Sequence, residues 1–431
     1  MCYDGAMKTN DNIIQSLQHK QYDGVRYACI ERLKTDPLDI QAWTFLGQAM
    51  VGLRRGRMAE LCFRRALLFN PYAPWESDAL RDAHAVSEGR DDTQVLKLLQ
   101  VPHVPVSACV LTRDNENTIA ECLAALQGAV DEIIVVDTGS RDNTVSIVQS
   151  FGISVHFFPW QDDFSKARNY ALSLAHHDWI FSVDSDEILY PEDKVSVRTA
   201  AALFQESVAL IFALQMNQNG GSLSPYPVPR LFSRQYFEWK RQIHEAPQVL
   251  ASTGVQKPMG LSVRIRLMHS GYDPNQVNLP GKMERNIALL QRVIHEDASD
   301  FTSLYYHGRE LSINHRYTEA IPHLMKAYQL GRGATDAPLL PLIGSQLAYC
   351  YTLTNHVDEA LEVLRRVTMD CPEHPDAWFS YGALLLGAKR NTDEAGASIL
   401  HAKKLAATYT GTLPFDHDIA KWKADQALRQ L

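Results

Sequence analysis

Hydrophobic and polar positions follow two different periods along the chain. Residues 11–86 place apolar side chains every three or four positions, the spacing that gives an amphipathic helix one buried face. Pro37 and Pro71 each follow such a helical stretch and lie 34 residues apart. Because proline ends one helix and lets the next begin, a helix-pair repeat of this length is predicted for residues 1–90.

The same helical spacing returns after residue 280. Three predicted helix pairs carry small residues where two helices must approach closely: Gly308 with Ala320, Ala348 with Ala360, and Gly382 with Ala395. The period, and a W-x2-L-G pattern at Trp43, are typical of tetratricopeptide repeats, so residues 280–431 are predicted to form a second repeat module. The concave face of such repeats favours binding of a peptide or protein; bracing of the molecule, or self-association into a homo-oligomer, is the alternative.

The middle of the chain, residues 101–275, alternates short apolar runs with helical stretches. The runs SACVLT, DEIIVVDTGS, ISVHFFPW and WIFSVDSDE are predicted to be strands. Strand–helix–strand alternation favours a mostly parallel sheet with helices on both faces. Ligands of such sheets bind at the carboxyl ends of the strands, so the functional residues are expected there.

Composition narrows the classes of protein. The 431 residues are 45% hydrophobic and 21% charged, which is ordinary for a globular chain of about three domains. With 42 Lys and Arg against 50 Asp and Glu, the net charge of −8 disfavours a nucleic-acid binder. The sequence contains no apolar window long enough for a membrane span and no secretory signal, so we expect a cytoplasmic protein. Its seven scattered cysteines are expected to be reduced and mostly buried.

Glycine-rich signatures of several other chemistries are absent from the sequence. No G-x-G-x-x-G follows the first predicted strand, and neither G-x-x-x-x-G-K-[ST] nor G-x-S-x-G occurs. A dinucleotide oxidoreductase, a P-loop phosphotransferase and a hydrolase with a nucleophile elbow are therefore disfavoured.

Acidic residues follow the predicted strands. Glu116 comes shortly after the first strand, Asp137 ends the second, and Asp184-Ser185-Asp186 follows WIFSV. Side chains two positions apart on an extended segment point the same way, so Asp184 and Asp186 are expected to present their carboxylates together. Such oxygen ligands suit Mg²⁺ or Mn²⁺, particularly where substrate phosphates complete the coordination. The pattern predicts a metal-assisted site for a nucleotide diphosphate.

Several longer segments resemble a known family. Residues 107 to about 272, with KMERNIALL just beyond them, carry in order DEIIVVDTGSRDNTV, WQDDFSKARNYAL, DWIFSVDSDEIL, PRLF, IHE and HSGY, as bacterial family 2 glycosyltransferases of the GT-A fold do. The layout is similar to that of the peptide S-glycosyltransferases that make glycosylated bacteriocins, and enzymes of unknown acceptor share it. The resemblance implies an α/β GT-A domain flanked by all-α tetratricopeptide-like repeats.

The resemblance implies roles in donor binding. Glu116 and Asp137 match positions that contact the uridine part of the donor, and Arg168 matches a basic residue near the diphosphate. Asp184 matches the carboxylate close to ribose and metal. These four residues are therefore expected to bind a nucleotide sugar.

The resemblance also implies a base and metal ligands. Asp186 matches the direct metal ligand, His269 matches a further metal or phosphate ligand, and Glu245 in IHE matches the acidic catalytic base. Two departures from the family pattern put local loop geometry in doubt. Arg241-Gln242 replaces the usual small residue before IHE, and His177 replaces the usual Gly before Asp-Trp.

Neighbouring residues have simpler interpretations. Asp162 and Asp163 are expected to cap the following helix, and His244 to be a structural hydrogen-bonding residue. For Arg230, a contact to the donor or acceptor and a surface salt bridge are both left open.

We therefore predict from the sequence an inverting, metal-dependent glycosyltransferase that moves a sugar from a UDP-sugar to a peptide or protein. The acceptor attacks the anomeric carbon opposite the leaving nucleotide, so Glu245 would take its proton while metal and Arg168 stabilise the diphosphate. Glu187 and His244 are the next candidates for the base. A glycan or lipid acceptor, or a repeat scaffold with an inert transferase domain, is the alternative function.

Overall fold

The computed structural model describes residues 2–219, 222–269, 279–334, 337–409 and 411–431. Two helical modules flank a central α/β domain, which confirms the predicted fold class. In the part of the chain so described, no helix is both long and apolar enough to cross a membrane.

The N-terminal module consists of paired helices. The helices are α1 (Cys2–Gln18), α2 (Tyr22–Thr35), α3 (Ile40–Gly52), α4 (Gly56–Phe69), α5 (Glu76–His84) and α6 (Thr93–Leu99). Asp39 caps α3 by accepting a hydrogen bond from the Ala42 amide at 2.8 Å. Asp92 caps α6 and pairs with Arg26, so this module packs through Leu99, past the predicted boundary at residue 90.

The central domain contains strands and helices in alternation, followed by a run of strands. The elements are β1 (Val106–Thr112), α7 (Ile119–Leu126), β2 (Glu132–Asp137), α8 (Thr144–Ser150), β3 (Val155–Phe157), α9 (Phe164–Leu174), β4 (Trp179–Asp184), β5 (Glu187–Leu189), α10 (Lys194–Leu203), β6 (Ala209–Asn219), β7 (Ser222–Ser233), β8 (Phe237–Lys240), β9 (Ala246–Val249) and β10 (Met259–His269). The four strands predicted from apolar runs are β1 to β4.

The main sheet is mostly parallel, as predicted: β6 and β10 run in the same direction as β1 to β4, and β7 and β5 are the reversed strands among those described. Within the described residues its order is β3-β2-β1-β4-β7-β6-β10-β5, and β8 pairs with β9 in a separate ribbon. Strands β1 to β4 run parallel, whereas β7 is antiparallel to both β4 and β6. Val106, Val110 and Phe181 are buried under α7 and α10 on one face, and α9 covers Ile180 and Phe232 on the other.

The C-terminal module repeats the helix-pair architecture. Its helices are α11 (Leu279–Glu296), α12 (Phe301–Ile313), α13 (Tyr317–Gly333), α14 (Leu340–Leu353), α15 (Val357–Asp370), α16 (Pro375–Gly387), α17 (Thr392–Thr408) and α18 (Ala424–Leu428). Trp378 Nε1 donates to the Pro372 carbonyl at 2.8 Å, just as Trp43 Nε1 donates to the Pro37 carbonyl at 2.9 Å. The two modules are therefore built from the same local unit.

Both helical modules contact the sheet and each other. Arg264 on β10 forms an ion pair with Glu76 of the N-terminal module. The Tyr72 ring lies 4.3 Å from the ring of His417 and 5.9 Å from that of Phe415, near the C-terminal end. These contacts fix the helical modules around the central domain.

Candidate active site

The carboxyl ends of three neighbouring parallel strands meet at one edge of the sheet. The β1 strand lies between β2 and β4, with Thr112 aligned to Asp137 and Leu111 aligned to Asp184. The polar segments that follow these strands are therefore adjacent. This is the edge at which ligands of α/β sheets bind.

Asp184, at the end of β4, lies between two arginines. Its Oδ1 accepts from Arg168 Nη2 at 2.7 Å, and its Oδ2 accepts from Arg230, which also donates to buried Glu187 at 2.7 Å. Burial alone would raise the pKa of Asp184, but the two guanidinium groups hold it well below its usual range. Burial raises the pKa of Glu187 despite Arg230. The buried position excludes a surface salt bridge for Arg230, whereas a contact to the donor or acceptor stays a prediction, since Arg230 lines the second cavity described below.

Arg168 connects Asp184 to Glu245. Its Nε donates to Glu245 Oε1 at 2.7 Å, and its Nη1 donates to Ser182 Oγ at 3.1 Å. The guanidinium also lies 4.7 Å from the centre of the Trp239 ring. Burial would lower the pKa of Arg168, but the charges of Asp184 and Glu245 raise it above its usual value. This arginine holds two carboxylates of the site in place.

Asp186 has different partners from Asp184. Its Oδ2 lies 3.5 Å from His269 Nε2, and His269 Nδ1 lies 2.8 Å from Asn217 Oδ1. Asp184 and Asp186 thus have different partners, arginines and a histidine, although both line the first cavity described below. Burial would lower the pKa of His269, but the hydrogen bond and charge of Asp186 raise it. The rest of HSGY lies outside the described residues.

Glu116 and Asp137 hold loops of this edge. Asp137 is buried, and its carboxylate accepts from the amides of Gly139 and Ser140, both at 2.9 Å. Glu116 Oε2 accepts from the Asn143 amide at 3.0 Å and from its side chain at 2.8 Å. Neither residue is among those that line the cavities described next, whereas the other five predicted site residues all line them.

Two cavities meet at these residues. The first, of about 590 Å³, is lined mostly by polar and charged residues, which include Arg113, Asn115, Asp186, His269 and Arg285. The second, of about 800 Å³, includes Tyr226, Pro229, Tyr306, Leu342 and Leu413. Both are lined by Arg168, Asp184, Gln215, His244 and Glu245. Glu245 therefore lies at the junction between a polar and a more apolar cavity.

The C-terminal helices line part of this cleft, and the position of Arg285 on the first cavity was not predicted from the sequence. Arg285 on α11 lies 5.3 Å from the centre of the Phe164 ring, and burial together with Arg113 lowers its pKa. Tyr306 and Glu310 on α12 also line the cavities. The only signal in the sequence was KMERNIALL, which belongs to the family pattern but carried no assigned role.

The neighbouring residues have largely structural contacts. Asp163 caps α9 by accepting from the Lys166 amide at 3.1 Å, as predicted. Asp162 instead accepts from Trp160 at 2.8 Å and from Arg292 at 3.0 Å, so the prediction of a helix cap was wrong for this residue. His244 packs through its ring, as described below.

Comparison with known proteins identifies the central domain. Residues 107–251 match the sequence profile described as glycosyl transferase family 2. The middle of the chain is a family 2 glycosyltransferase domain. The matched segment contains β1 to β9 and the residues at the junction of the two cavities, from Arg168 to Glu245.

Individual relatives are similar to this chain over part of its length. The SPbeta prophage-derived glycosyltransferase SunS of Bacillus subtilis is 28% identical over 229 residues, which are 52% of this chain and 53% of that protein. A TPR repeat-containing protein of Synechococcus elongatus is 34% identical over 189 residues, 42% of this chain and 45% of that protein. The chain thus spans about half the length of these relatives.

Solved structures resemble this protein over short parts of its chain. A glucosyl-3-phosphoglycerate synthase of Mycobacterium tuberculosis, in complex with Mn²⁺ and UDP-glucose, is 23% identical over 26% of this chain and 44% of that one, with a TM-score of 0.24. At this TM-score the match concerns only parts of the two folds.

Proposed function

We propose that the protein is an inverting glycosyltransferase that transfers a sugar from a nucleotide-diphosphate donor, in the first place a UDP-sugar, to a peptide or protein. One observation carries the proposal: Glu245 lies where a polar cavity, lined by Asp186 and His269, meets a second cavity bordered by the repeats. A donor and an acceptor that entered from the two sides would meet beside this carboxylate.

The polar cavity suits the diphosphate and a divalent metal. Asp186 and His269 offer one oxygen and one nitrogen ligand, and Asn217 orients the imidazole. No group of three candidate ligands lies together among the described residues. Two protein ligands fit Mg²⁺ or Mn²⁺ held jointly with substrate phosphates, and such a metal offsets negative charge on the leaving diphosphate. Arg113 and Arg285, on the same cavity, would add positive charge.

Glu245 is our candidate for the catalytic base. As the acceptor attacks the anomeric carbon, the bond to the leaving phosphate oxygen breaks and the acceptor proton passes to Glu245. The ion pair with Arg168 supports this role, since it keeps the carboxylate oriented at 2.7 Å. Glu187, a competing candidate, is fully buried and accepts from Gln215, Arg230 and the Asp184 amide.

The second cavity is our candidate for the acceptor site. Its walls include Pro227 and Pro229 of β7 and, from the repeats, Leu339 and Leu342. These walls fit apolar side chains of a polypeptide, and Asn217, Gln248 and Thr302 on the same cavity offer hydrogen-bond partners to its backbone. The similarity to the glycosyltransferase SunS and to a repeat-containing protein supports a transferase domain joined to repeats, and it names no acceptor.

A screen of nucleotide sugars tests the proposal. Release of UDP or GDP is followed with Mn²⁺, with and without peptides that contain Ser, Thr or Cys. We expect one UDP-sugar to be consumed, faster when a suitable peptide is present. A protein that binds UDP with Mn²⁺ but consumes no donor would instead support the inert scaffold.

Replacing the base gives the first quantitative prediction. Glu245→Gln keeps the shape of the side chain but cannot take the proton, so kcat should fall by about 10²–10⁴-fold. Glu238→Gln is the matched control, because Glu238 on β8 pairs with Lys240 at the surface. We expect the control to keep its activity and UDP affinity to be nearly equal in both variants. A Glu245→Gln enzyme with wild-type kcat on a hydroxyl acceptor would exclude Glu245 as the base.

A further inference from the structure

The loop that carries Glu245 has an unfavourable backbone conformation. Residues 241–245 connect β8 to β9, and two of them, Arg241 and His244, have positive φ angles of 83° and 50°. Side chains of L-residues disfavour this left-handed region. Such a conformation persists only where surrounding contacts hold it.

The first of these contacts is an ion pair with the repeats. Arg241 Nη1 and Nη2 donate to the two carboxylate oxygens of Asp300 at 3.2 and 2.9 Å, and Nη2 also donates to Ser303 at 2.7 Å. Asp300 is the N-cap of α12, since it accepts from the amides of Thr302 and Ser303. The start of the loop is thus attached to the start of a repeat helix.

The second contact is aromatic. The His244 ring stacks on Tyr306 of α12, with ring centres 3.7 Å apart and planes within 9° of parallel. Burial, with a contribution from Arg309 and Arg241, lowers the pKa of His244 to about 3. The imidazole is therefore neutral at ordinary pH, and its proximity to Glu310 is no ion pair. Ile243, which precedes His244, is buried against Leu289 and Leu290 of α11.

The loop also contacts α9, the helix that carries Arg168 of the candidate active site. The Gln242 carbonyl accepts from the Phe164 amide at 2.8 Å, at the start of the helix that carries Arg168. Glu245 then pairs with Arg168 itself. The loop lies between α9 on one side and α12 on the other, so a shift of either would move Glu245.

We propose that the first C-terminal repeat positions the base: Asp300 and Tyr306 of α12 hold residues 241–245 so that the Glu245 carboxylate faces the cleft. Both are positioning residues that act through Arg241 and His244. The inference rests on the proposed role of Glu245. It gives a function to Arg241, where the resembling enzymes have a small residue before IHE.

Two variants and two controls test this positioning role in the full chain. Asp300→Asn keeps an N-cap residue but removes the charge that pairs with Arg241, and Tyr306→Leu removes the stacked ring. Tyr306→Phe keeps the stacked ring, so the amides of residues 241–246 should exchange as they do in the wild type. Asp370→Asn breaks a repeat ion pair with Arg332, 2.6 Å long, that does not involve the loop.

The primary measurement is hydrogen exchange of the amides of residues 241–246. We expect exchange to rise about tenfold or more in Asp300→Asn and Tyr306→Leu, and to stay unchanged in the two controls. With the donor identified by the screen, kcat should fall about tenfold in the same two variants, while the affinity for UDP with Mn²⁺ stays within about twofold.

The outcomes separate this inference from the proposed function. Unchanged exchange in both variants would overturn the positioning role, whatever the activity. Faster exchange with an unchanged kcat would overturn it as well, because the loop would then move without effect on the base. If Glu245→Gln alone left kcat unchanged, the base assignment would fail independently.

Discussion

At the scale of single residues, the site depends on charges that are buried in pairs. Glu245, Arg168, Asp184, Arg230 and Glu187 form a chain of alternating charge, in which each neighbour is hydrogen-bonded. An unpaired buried charge destabilises a protein far more than an unpaired surface charge does. Removal of one of these residues would therefore leave its neighbour with an uncompensated charge. This row of ion pairs holds the Glu245 carboxylate in one position through Arg168.

A pH-dependent stability is predicted from another buried carboxyl. Burial raises the pKa of Asp376 to about 7, although its carboxylate accepts from the Asp416 amide at 2.9 Å. Between about pH 4 and 7 the folded protein therefore holds more protons than the unfolded chain, so the free energy of unfolding falls as pH rises through this window. Asp376→Asn resembles the protonated form and should escape this loss.

The measurement is urea unfolding at pH 5 and pH 8. From pH 5 to pH 8, we expect the free energy of unfolding of Asp376→Asn to rise by on the order of 2 kcal/mol relative to that of the wild type. Asp393→Asn, at an exposed position of α17, serves as control and should show no comparable gain. An Asp376→Asn difference that is equal at both pH values would contradict the predicted coupling.

At the scale of elements, glycine determines how closely the repeat helices approach. A Cβ on Gly47 of α3 would lie 2.4 Å from the Phe63 ring of α4, and one on Gly382 of α16 would lie 2.8 Å from Ile399 of α17. Such helix pairs pack only if one partner lacks a side chain. The 34-residue period was readable from the sequence because this requirement recurs in each repeat.

Substitution at Gly47 tests the close approach. Gly47→Ala should destabilise the protein by about 1–3 kcal/mol, because the clash with Phe63 outweighs the higher helix propensity of alanine. Gly387→Ala, where an added Cβ meets nothing within 4 Å, should be neutral or stabilise by up to about 1 kcal/mol. Urea unfolding of both variants decides the matter; a Gly47→Ala protein as stable as the control would contradict the packing.

Other elements were not predictable from local patterns. The β7 strand contains Pro225, Pro227 and Pro229, and prolines argue against a strand inside a sheet. Among the described pairings, these residues face β6 only, and β4 pairs with residues 231–233 beyond them. The prolines therefore occupy an edge-like stretch, which only the assembled sheet reveals.

The same limit applies to the site. The strand ends predicted where Asp184 and Asp186 would lie, because a polar turn after an apolar strand is a local pattern. The partners that they contact come from other elements of the chain: Arg168 and Arg230 for Asp184, and His269 for Asp186. Asp137 uses its carboxylate within its own turn. Arg285 was not predicted as a site residue because the helical pattern assigns its helix, α11, to the C-terminal module. In the folded protein, Arg285 nevertheless lines the cleft.

At the scale of the whole molecule, the cleft is shared between the family 2 domain and the C-terminal repeats. Asp186 and His269 come from the sheet, whereas Arg285 comes from α11, and both sets line one cavity of about 590 Å³. Our account therefore requires the nucleotide to contact both parts. Donor binding should fail if either part is altered, even though each folds around its own core.

Calorimetric titration of UDP tests this central claim most directly. We expect wild-type protein to bind UDP with Mn²⁺ and to lose most of that affinity in excess EDTA. Asp186→Ala should lose the metal dependence, and Arg285→Met should bind UDP about tenfold or more weakly, since a charged contact to phosphate is removed. Asp178→Ala, an exposed change on the central domain, should bind as wild type. UDP affinity that is equal with Mn²⁺ and with EDTA, and unchanged in Asp186→Ala and Arg285→Met, would contradict the account.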